Sequence, residues 1–182
     1  MSHRKYQYVG TNDILEAASS QPSGIPINSV DDAVAWLSME RTEQRSDGNW
    51  IATFTISPDR KLYIAPRRSE HVACANGGPV LSAGEIIFDE TFTVVEITNQ
   101  STGFCPEPES WLAVESTLNA IGFNHPGEFT TMVIFRRCPN CNERNIVKDS
   151  WFYCSICEAE LPKQWNFDDS EMQDNNALDR SR

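Results

Sequence analysis

The sequence predicts an α+β fold: an antiparallel sheet with two main helices packed on it, followed by a small cysteine-rich C-terminal ribbon. Three observations lead to this prediction. Stretches of alternating apolar and polar residues are separated by turn sequences, two stretches carry apolar residues at helical spacing, and four cysteines stand in two close pairs. We expect an α+β domain over residues 1–136, a ribbon over 137–167 and an acidic, disordered tail over 168–182.

Two segments have the pattern of amphipathic helices. Ser29 opens the first, an acidic residue three positions later completes an N-terminal capping pattern, and we expect this helix to end near Thr42. The second helix is expected from Pro108 to Gly122, because proline favours a first turn and glycine the residue after a last turn. A short helix is also expected directly after Asn12, which would cap it.

The remaining ordered segments have the pattern of strands. The first two are expected to form a hairpin around Ser57–Arg60, and the next two to pair antiparallel around Asp89–Thr91. The expected strands are Trp50–Ile56, Leu62–Ala65, Val80–Phe88, Phe92–Thr98 and Phe129–Phe135.

The last third of the chain contains four cysteines in two pairs, Cys138 with Cys141 and Cys154 with Cys157. Two residues separate the members of each pair, and this spacing lets both sulfurs of a tight turn point at one metal ion. Four thiolates complete a tetrahedral site and leave no position for an activated water. The spacing therefore predicts one structural Zn²⁺ that stabilises a ribbon too small to have a sufficient core.

Two other interpretations of these cysteines remain open. The pairs can be disulfides, but the first residues of the chain lack the apolar core of a secretory signal, and Cys74 and Cys105 have no evident partner. These observations favour a metal site in a reducing compartment. Iron accepts the same four thiolates, so the sequence does not distinguish zinc from iron.

The composition disfavours some classes of function. A net charge of −11 disfavours a general nucleic-acid binder, because phosphate contacts need a basic surface. Arg67 with Arg68, and Arg136 with Arg137, are candidate basic patches, which we interpret as solvated arginines at strand ends. No apolar run is long enough to span a bilayer, so we expect a cytoplasmic protein without a membrane partner.

The glycine-rich region around His71 and Glu85 is the one most suited to a specific site. In a functional interpretation His71 is a general base and Glu85 orients it or stabilises a developing cation, while Ser101, with Asn99 and Thr102, lines the same cleft. In a structural interpretation, which the residues alone favour, the glycines permit a tight turn and a bulge, and Glu85 is exposed on a strand edge.

Residues 69–121 also resemble a module found at the ends of some bacterial effector and polymorphic-toxin proteins. That module has a histidine, a glycine before Pro-Val, Ala-Gly-Glu-Ile, and Ile-x-Asn-x-Ser followed by Gly-His-Tyr. The matching positions are His71, Gly78, Pro79-Val80, Ala83-Gly84-Glu85-Ile86, Ile97, Asn99, Ser101 and Pro106. Thr102-Gly103-Phe104 replaces Gly-His-Tyr, so the second histidine is absent. The resemblance supports the fold more than a particular reaction.

Cys105 gives a different hypothesis of catalysis. It precedes the helix expected from Pro108, whose positive end favours a thiolate, and His71 or His125 would be its base. No third residue that would orient such a pair is evident, and an inert, buried cysteine is the simpler interpretation.

The tryptophans are interpreted as packing residues. Four are expected in the core or against the metal site: Trp36, Trp50, Trp111 and Trp151. Trp165 follows the last cysteine, and we expect the segment 161–167 to fold back on the ribbon and cover it.

These observations together predict an intracellular zinc-binding protein that recognises another macromolecule, a protein rather than a nucleic acid. The alternative is a small effector-type transferase or hydrolase that uses His71 and Glu85.

Overall fold

The computed structural model describes residues 3–39 and 44–167. The chain divides into two compact units, Met1–Ile134 and Phe135–Arg182. The first contains an antiparallel sheet of five strands and four α-helices, and the second contains the four-cysteine cluster, so the predicted α+β class is confirmed. The expected end of the second helix near Thr42 and the expected tail from residue 168 lie outside the described residues.

The elements of the chain are these. The strands of the first unit are β1 (Ile25–Ile27), β2 (Trp50–Ile56), β3 (Leu62–Pro66), β4 (Ser82–Phe88) and β5 (Val94–Ile97). Its helices are α1 (Asn12–Ala18), α2 (Val30–Met39), α3 (His71–Cys74) and α4 (Trp111–Ile121), and a 3₁₀ turn over Pro108–Ser110 precedes α4. β6 (Ile134–Arg137) and β7 (Arg144–Val147) form a small separate sheet. Within the described ranges, no helix has the length and apolar character needed to cross a membrane.

All neighbouring strands of the large sheet run antiparallel, in the order β1-β3-β2-β4-β5. β2 and β3 form the predicted hairpin. Its turn is fixed by Ser57, whose Oγ donates to Asp59 Oδ1 at 2.6 Å and accepts from the Lys61 N–H at 3.1 Å. β4 and β5 also pair as expected, with a register shift between Ile87 and Phe88.

The helices α2 and α4 share the apolar core with one face of the sheet. Phe54 of β2, Leu37 of α2 and Leu118 of α4 are fully buried members of one cluster of apolar side chains. Because side chains alternate along a strand, the residues on either side of Phe54 face the opposite way. The predicted amphipathic faces of both helices are confirmed.

The other face of the sheet is more polar and lies next to α3. Thr53 and Thr55 of β2 are buried there, and Thr55 Oγ1 lies 3.6 Å from Cys74 Sγ of α3. Glu85 of β4 is the cross-strand partner of Thr53, so its side chain belongs to the same face. This face therefore carries the chemical groups that the sequence singled out around His71.

The predicted helix ends are mostly confirmed. The Asp32 N–H donates to Ser29 Oγ at 3.2 Å, and the Ser29 N–H donates to Asp32 Oδ2 at 3.1 Å, which is a reciprocal cap. Gly122 ends α4 with a φ of 97°, in the left-handed region that glycine adopts without strain. The cap expected at Asn12 is wrong, because Asn12 is the first helical residue and Thr11 precedes it without a side-chain capping bond.

The strand expected over Phe129–Phe135 is also wrong for most of its length, since β6 begins only at Ile134. The segment keeps one isolated parallel bridge, between Thr98 and Thr131, and side chains supply further hydrogen bonds to its backbone. Thr130 Oγ1 accepts from the Ile97 N–H at 2.8 Å, and Asn99 Oδ1 accepts from the Val133 N–H at 2.7 Å. Tertiary hydrogen bonds therefore satisfy a backbone that the apolar pattern assigned to a sheet.

Two short elements carry no sequence signal strong enough to predict them. β1 has three residues, one of which is Pro26, and it occupies the edge of the sheet beside β3. α3 is a single turn of four residues, and Gly77 and Gly78, which are expected to permit a tight turn, follow it closely. Both depend on the surrounding sheet rather than on local propensity.

Candidate metal centre and neighbouring residues

The four predicted ligand cysteines come together in one cluster. The sulfurs of Cys138, Cys141, Cys154 and Cys157 all lie within 4.8 Å of one another, so they can hold a metal ion. Two sulfur pairs, Cys138 with Cys157 and Cys141 with Cys154, are 3.5 Å apart. Sulfurs bound tetrahedrally at about 2.3 Å from one Zn²⁺ are separated by about 3.8 Å, whereas a disulfide bond is about 2.05 Å long. The spacing fits a metal site, and all six cysteines are free of disulfides.

The two cysteine pairs have the same backbone geometry. In the first, the Asn142 N–H donates to Cys138 O at 2.9 Å, and in the second the Glu158 N–H donates to Cys154 O at 3.0 Å. Both donors have a left-handed φ, 64° at Asn142 and 61° at Glu158. Each pair is thus a tight turn closed directly after its second cysteine, and the two turns present their sulfurs to a common centre.

Asn145 connects the two turns, and the sequence did not single it out. Its side chain is buried, and its Nδ2 donates to Glu143 O at 2.9 Å and to Cys154 Sγ at 3.5 Å. Its Oδ1 accepts from the backbone N–H of Ser155 at 2.9 Å and from the Ser155 hydroxyl at 3.0 Å. Asn145 stands between the charged Arg144 and the apolar Ile146, so the local sequence carries no signal of this role. Such a partner to a ligand sulfur orients it for metal binding.

Hydrogen bonds to sulfur change the acidity of the thiols. Burial acts to raise the pKa of Cys154, but backbone N–H groups of its turn and the Asn145 amide lower that pKa to about 6. The Asn140 side chain is the main cause of a lowered pKa at Cys157. A backbone N–H acts to lower the pKa of Cys141, but desolvation and the neighbouring sulfurs raise it to about 12. Cys154 and Cys157 therefore ionise more readily than Cys141, and the thiolate is the form that binds a metal.

The segment after the last cysteine folds back on the ribbon, as expected. Leu161 and Phe167 are buried, and the rings of Trp165 and Phe167 lie 5.6 Å apart. Asn166 exchanges two hydrogen bonds with the backbone of Arg137, at 2.9 and 2.7 Å. The small ribbon thus gains an apolar cover that its own two strands do not supply.

The interpretation of Arg136 and Arg137 as solvated arginines is wrong. Arg136 is buried, and its guanidinium donates to the carbonyl of Phe135 at 2.6 Å and to that of Lys163 at 2.8 Å. The Arg137 guanidinium lies over the Phe167 ring, 5.1 Å from its centroid. Both arginines fix the 161–167 segment in place, so neither forms a basic patch for nucleic acid.

The ribbon also contains a tight hairpin with an exposed face. Asp149 and Ser150 form its turn with φ values of 51° and 57°, and the Trp151 N–H donates to Lys148 O at 2.8 Å. Positive φ at both central residues is typical of a two-residue type I′ turn. Counting back from the antiparallel bridge between Lys148 and Trp151 places Ile146 opposite Tyr153.

The exposed hairpin face consists of Ile146, Lys148, Trp151 and Tyr153, and all four side chains are solvent-exposed. Trp151 is 67% exposed, and its ring lies 4.7 Å from that of Tyr153. The prediction that Trp151 packs in the core or against the metal site is therefore wrong. The alternation of strand residues turns Asn145 and Cys154 toward the metal centre and turns these side chains toward solvent.

His71 and Glu85 lie on the same face of the large sheet. His71 Nε2 is 3.1 Å from Gly84 O, and a carbonyl only accepts, so Nε2 carries the proton and Nδ1 keeps a lone pair. Desolvation lowers the pKa of His71, while Gly84 O and the charge of Glu85 act to raise it. Glu85 also accepts from Arg67 Nε at 3.3 Å, so that one of the two arginines of the first candidate patch is paired.

Ser101 does not share a hydrogen bond with this pair. Its side chain is fully buried, and its Oγ has no hydrogen-bond partner in the described part of the chain. Asn99 is buried as well, and its amide is used by the backbone, since Nδ2 donates to Pro106 O at 2.8 Å and to Val133 O at 2.7 Å. Asn99 therefore holds the chain together here rather than lining a cleft.

The Cys105 hypothesis has little support in the geometry. Cys105 is fully buried with a φ of 48°, and its Sγ donates to Thr102 O at 3.6 Å. Both ring nitrogens of His125 are engaged elsewhere, with Pro126 O at 2.8 Å and Asn119 Oδ1 at 3.1 Å. The burial of Cys105 and the engagement of both ring nitrogens of His125 favour the inert cysteine.

Compared with protein-family models, curated proteins and solved structures, the chain matches none of them. The resemblance noted for residues 69–121 stays a prediction, and the functional conclusions depend on the geometry of the sites.

Proposed function

We propose that the C-terminal unit is a ribbon that holds one structural Zn²⁺ and that this ribbon recognises a protein partner. The observation that supports the first part most directly is the four-sulfur cluster with its two matching turns. Four protein thiolates fill the tetrahedral coordination of zinc and leave no position for water or substrate. The metal therefore stabilises the ribbon and takes no part in a reaction.

The identity of the metal is tested by elemental analysis of the purified protein. We expect one zinc per chain, retained in Cys74→Ser, whose cysteine lies far along the chain from the cluster, and lost in Cys154→Ser. Iron bound by four thiolates absorbs visible light and Zn²⁺ does not, because zinc has a filled d shell. A coloured protein that contains one iron per chain would overturn the assignment of zinc.

The exposed hairpin face supports the second part of the proposal. Trp and Tyr are the side chains that most often dominate binding energy at protein interfaces, and here both are exposed and in contact. Ile146 adds an aliphatic side chain. Such a side chain packs against the apolar surface of a protein, whereas the bases of a nucleic acid stack on aromatic side chains. Lys148 on the same face favours a partner whose apolar groove is bordered by carboxylates, because opposite charges across an interface steer association.

The partner is tested with the full-length, zinc-loaded chain as bait. Trp151→Ala should abolish capture of a protein that the unchanged chain retains, whereas Leu112→Ala, which truncates an exposed side chain of α4, should not. The captured protein is then identified, purified and titrated directly. Affinity that falls as salt is raised agrees with the carboxylate border. Equal capture by both variants, or capture that a nuclease abolishes, would overturn the proposal.

A second candidate function is the small transferase or hydrolase, and one observation favours it. Neutral His71 keeps a lone pair on Nδ1, as a general base must, and the charge of Glu85 acts on its ring. p-Nitrophenyl carboxylate and phosphate esters are simple probes of hydrolysis. Loss of hydrolysis in His71→Ala, with an unfolding transition like that of the unchanged chain, would support this function. Equal rates of hydrolysis by the variant and the unchanged chain would exclude it.

A further inference from the structure

Two cavities flank one hydrogen bond in the first unit. Ser23 Oγ donates to Asn76 Oδ1 at 3.0 Å, and this bond joins the loop after α1 to the segment that follows α3. A cavity of about 340 Å³ lies on one side and one of about 300 Å³ on the other, and both residues line both cavities. The Gly24 N–H donates to Cys74 O at 3.2 Å and makes a second connection between the same two segments.

The larger cavity has a buried floor and an exposed rim. Thr55, Cys74 and Val80 form the floor and are almost fully buried, whereas Ser23 and Asn76 are exposed at the rim. Its volume lies within the range of about 300 to 1,000 Å³ that is typical of small-molecule sites. The larger cavity is thus a cleft whose floor is already formed without a ligand.

The wall that carries Asn76 is held in an unusual backbone conformation. Asn76 has a φ of 52° and Gly77 a φ of 75°. Their N–H groups donate to Ala73 O at 2.9 Å and to Val72 O at 2.8 Å, so hydrogen bonds to α3 fix both residues. A left-handed asparagine is a local strain that the surrounding structure must maintain, and such positions occur often at binding sites.

The lining of both cavities is uncharged. The first unit has seventeen acidic and eight basic residues in its sequence, yet none of the described side chains that line either cavity is charged. A charged ligand group would lose hydration there without meeting an opposite charge. The lining therefore selects an uncharged molecule.

Most polar groups of the larger cavity already have partners within the protein. Thr55 Oγ1 lies 3.6 Å from Cys74 Sγ, and Ser57 Oγ is engaged with its own turn. Burial raises the pKa of Cys74 to about 12, so its thiol is not a nucleophile. The amide nitrogen of Asn76 and the hydroxyl of Tyr63 are the groups left to meet a ligand, and the amide nitrogen is a donor.

We infer that the larger cavity binds a small, uncharged, planar molecule through a carbonyl or carboxamide group. Asn76 Nδ2 donates to the ligand carbonyl, and the apolar surfaces of Pro58, Tyr63 and Pro79 cover the flat body. The site is for binding and not for catalysis, and all the residues that line it belong to the first unit.

Three isosteric probes test the inference: benzamide is neutral, benzoate is an anion and benzamidinium is a cation. They are titrated into full-length, ¹⁵N-labelled, zinc-loaded protein, and amide chemical shifts are followed. Benzamide should shift the backbone amides of Gly78 and Val80, which line only the larger cavity, and the side-chain amide of Asn76. Benzoate and benzamidinium should bind at least about tenfold more weakly, which corresponds to about 1.4 kcal/mol.

Asn76→Gly removes the side chain and keeps the left-handed backbone, so the wall should persist. We expect at least a tenfold loss of benzamide affinity in this variant. Asn124→Gly, at an exposed position in the turn after α4, should bind benzamide as the unchanged chain does. Equal affinity for the three probes, shifts confined to other residues, no shift with benzamide at millimolar concentration, or full affinity in a folded Asn76→Gly variant would each overturn the inference.

Discussion

Asn145 makes four hydrogen bonds in the ribbon, two from its amide nitrogen and two to its amide oxygen. One of these reaches the sulfur of Cys154, and the others reach backbone or side-chain groups of Glu143 and Ser155. The residue thus fixes the second turn to the strand that follows the first. At this scale the metal site depends on more than its four ligands.

Replacement of Asn145 by alanine is expected to weaken zinc binding about 10- to 100-fold, because the Cys154 sulfur loses a donor and Ser155 loses its acceptor. Competition with a chromophoric chelator measures the affinity. Asn124→Ala, at an exposed position of the first unit, serves as the control. An unchanged affinity in Asn145→Ala would show that the side chain only fills space.

His71 shows how burial and hydrogen bonding act on one titratable group. Desolvation lowers its pKa below the reference value of 6.5, against the opposing effects of Gly84 O and the Glu85 charge. Glu85 is itself paired with Arg67, which reduces its effect on the ring. The unfolded chain therefore binds a proton at this histidine more readily than the folded chain does.

The stability contributed by neutral His71 is expected to be complete above pH 6.5 and to be lost as the pH falls toward the folded-state pKa. His71→Gln keeps a donor near Gly84 O but does not titrate, so its stability should depend less on pH. Urea unfolding between about pH 5 and 8 measures this dependence. Asn124→Gln, at an exposed position and with no change in titratable groups, is the control and should keep the dependence of the unchanged chain. An equally steep dependence in His71→Gln would refute the assignment.

The hairpin of the ribbon has a strained turn and carries the proposed interface. Asp149 and Ser150 form its turn with positive φ, a conformation that costs a residue with a Cβ about 1 kcal/mol or more. The turn sets the register that places Trp151 and Tyr153 on the exposed face and Cys154 at the metal. The metal site and the proposed interface thus both depend on a turn formed by two strained residues.

Ser150→Gly is expected to stabilise the zinc-loaded ribbon by about 1 kcal/mol, because glycine adopts a positive φ without the Cβ clash. Guanidinium unfolding followed by the amide signals of residues 135–167 measures the change. Ser150→Ala keeps a Cβ and should bring no gain. Equal stability of the two variants would mean that the turn is not strained.

For the whole molecule, the two units differ in what stabilises them. The first has a cluster of buried apolar side chains between the sheet and two helices. The second has few large buried side chains among its described residues. It is held by the returning segment 161–167, by the arginines that bind that segment and, in our proposal, by a metal ion at the four cysteines. Small units of this kind need a metal or a disulfide to remain folded.

Removal of the metal with a strong chelator is expected to unfold residues 135–167 and to leave the first unit folded, because binding and folding are coupled only in the ribbon. Amide spectra should then show collapsed signals for the ribbon and dispersed signals for the first unit. Added Zn²⁺ should restore dispersed signals for the ribbon. Collapse of both sets of signals, or of neither, would contradict this division.

The sequence alone determined the elements with strong local signals. The β2–β3 hairpin, the N-terminal cap of α2, the end of α4 and the four-cysteine cluster follow from turn chemistry, helical periodicity and cysteine spacing, which act over short stretches of chain. Each of these signals is contained in one short segment of chain.

Only the tertiary structure decided the features that depend on distant residues. The segment before β6 is irregular because Thr130 and Asn99 bond it to the chain after β5, Arg136 is buried because carbonyls some twenty-seven positions later accept from it, and Trp151 is exposed because the hairpin register turns it outward. In each case the free energy comes from partners that are far apart in the sequence, so no local pattern records the result.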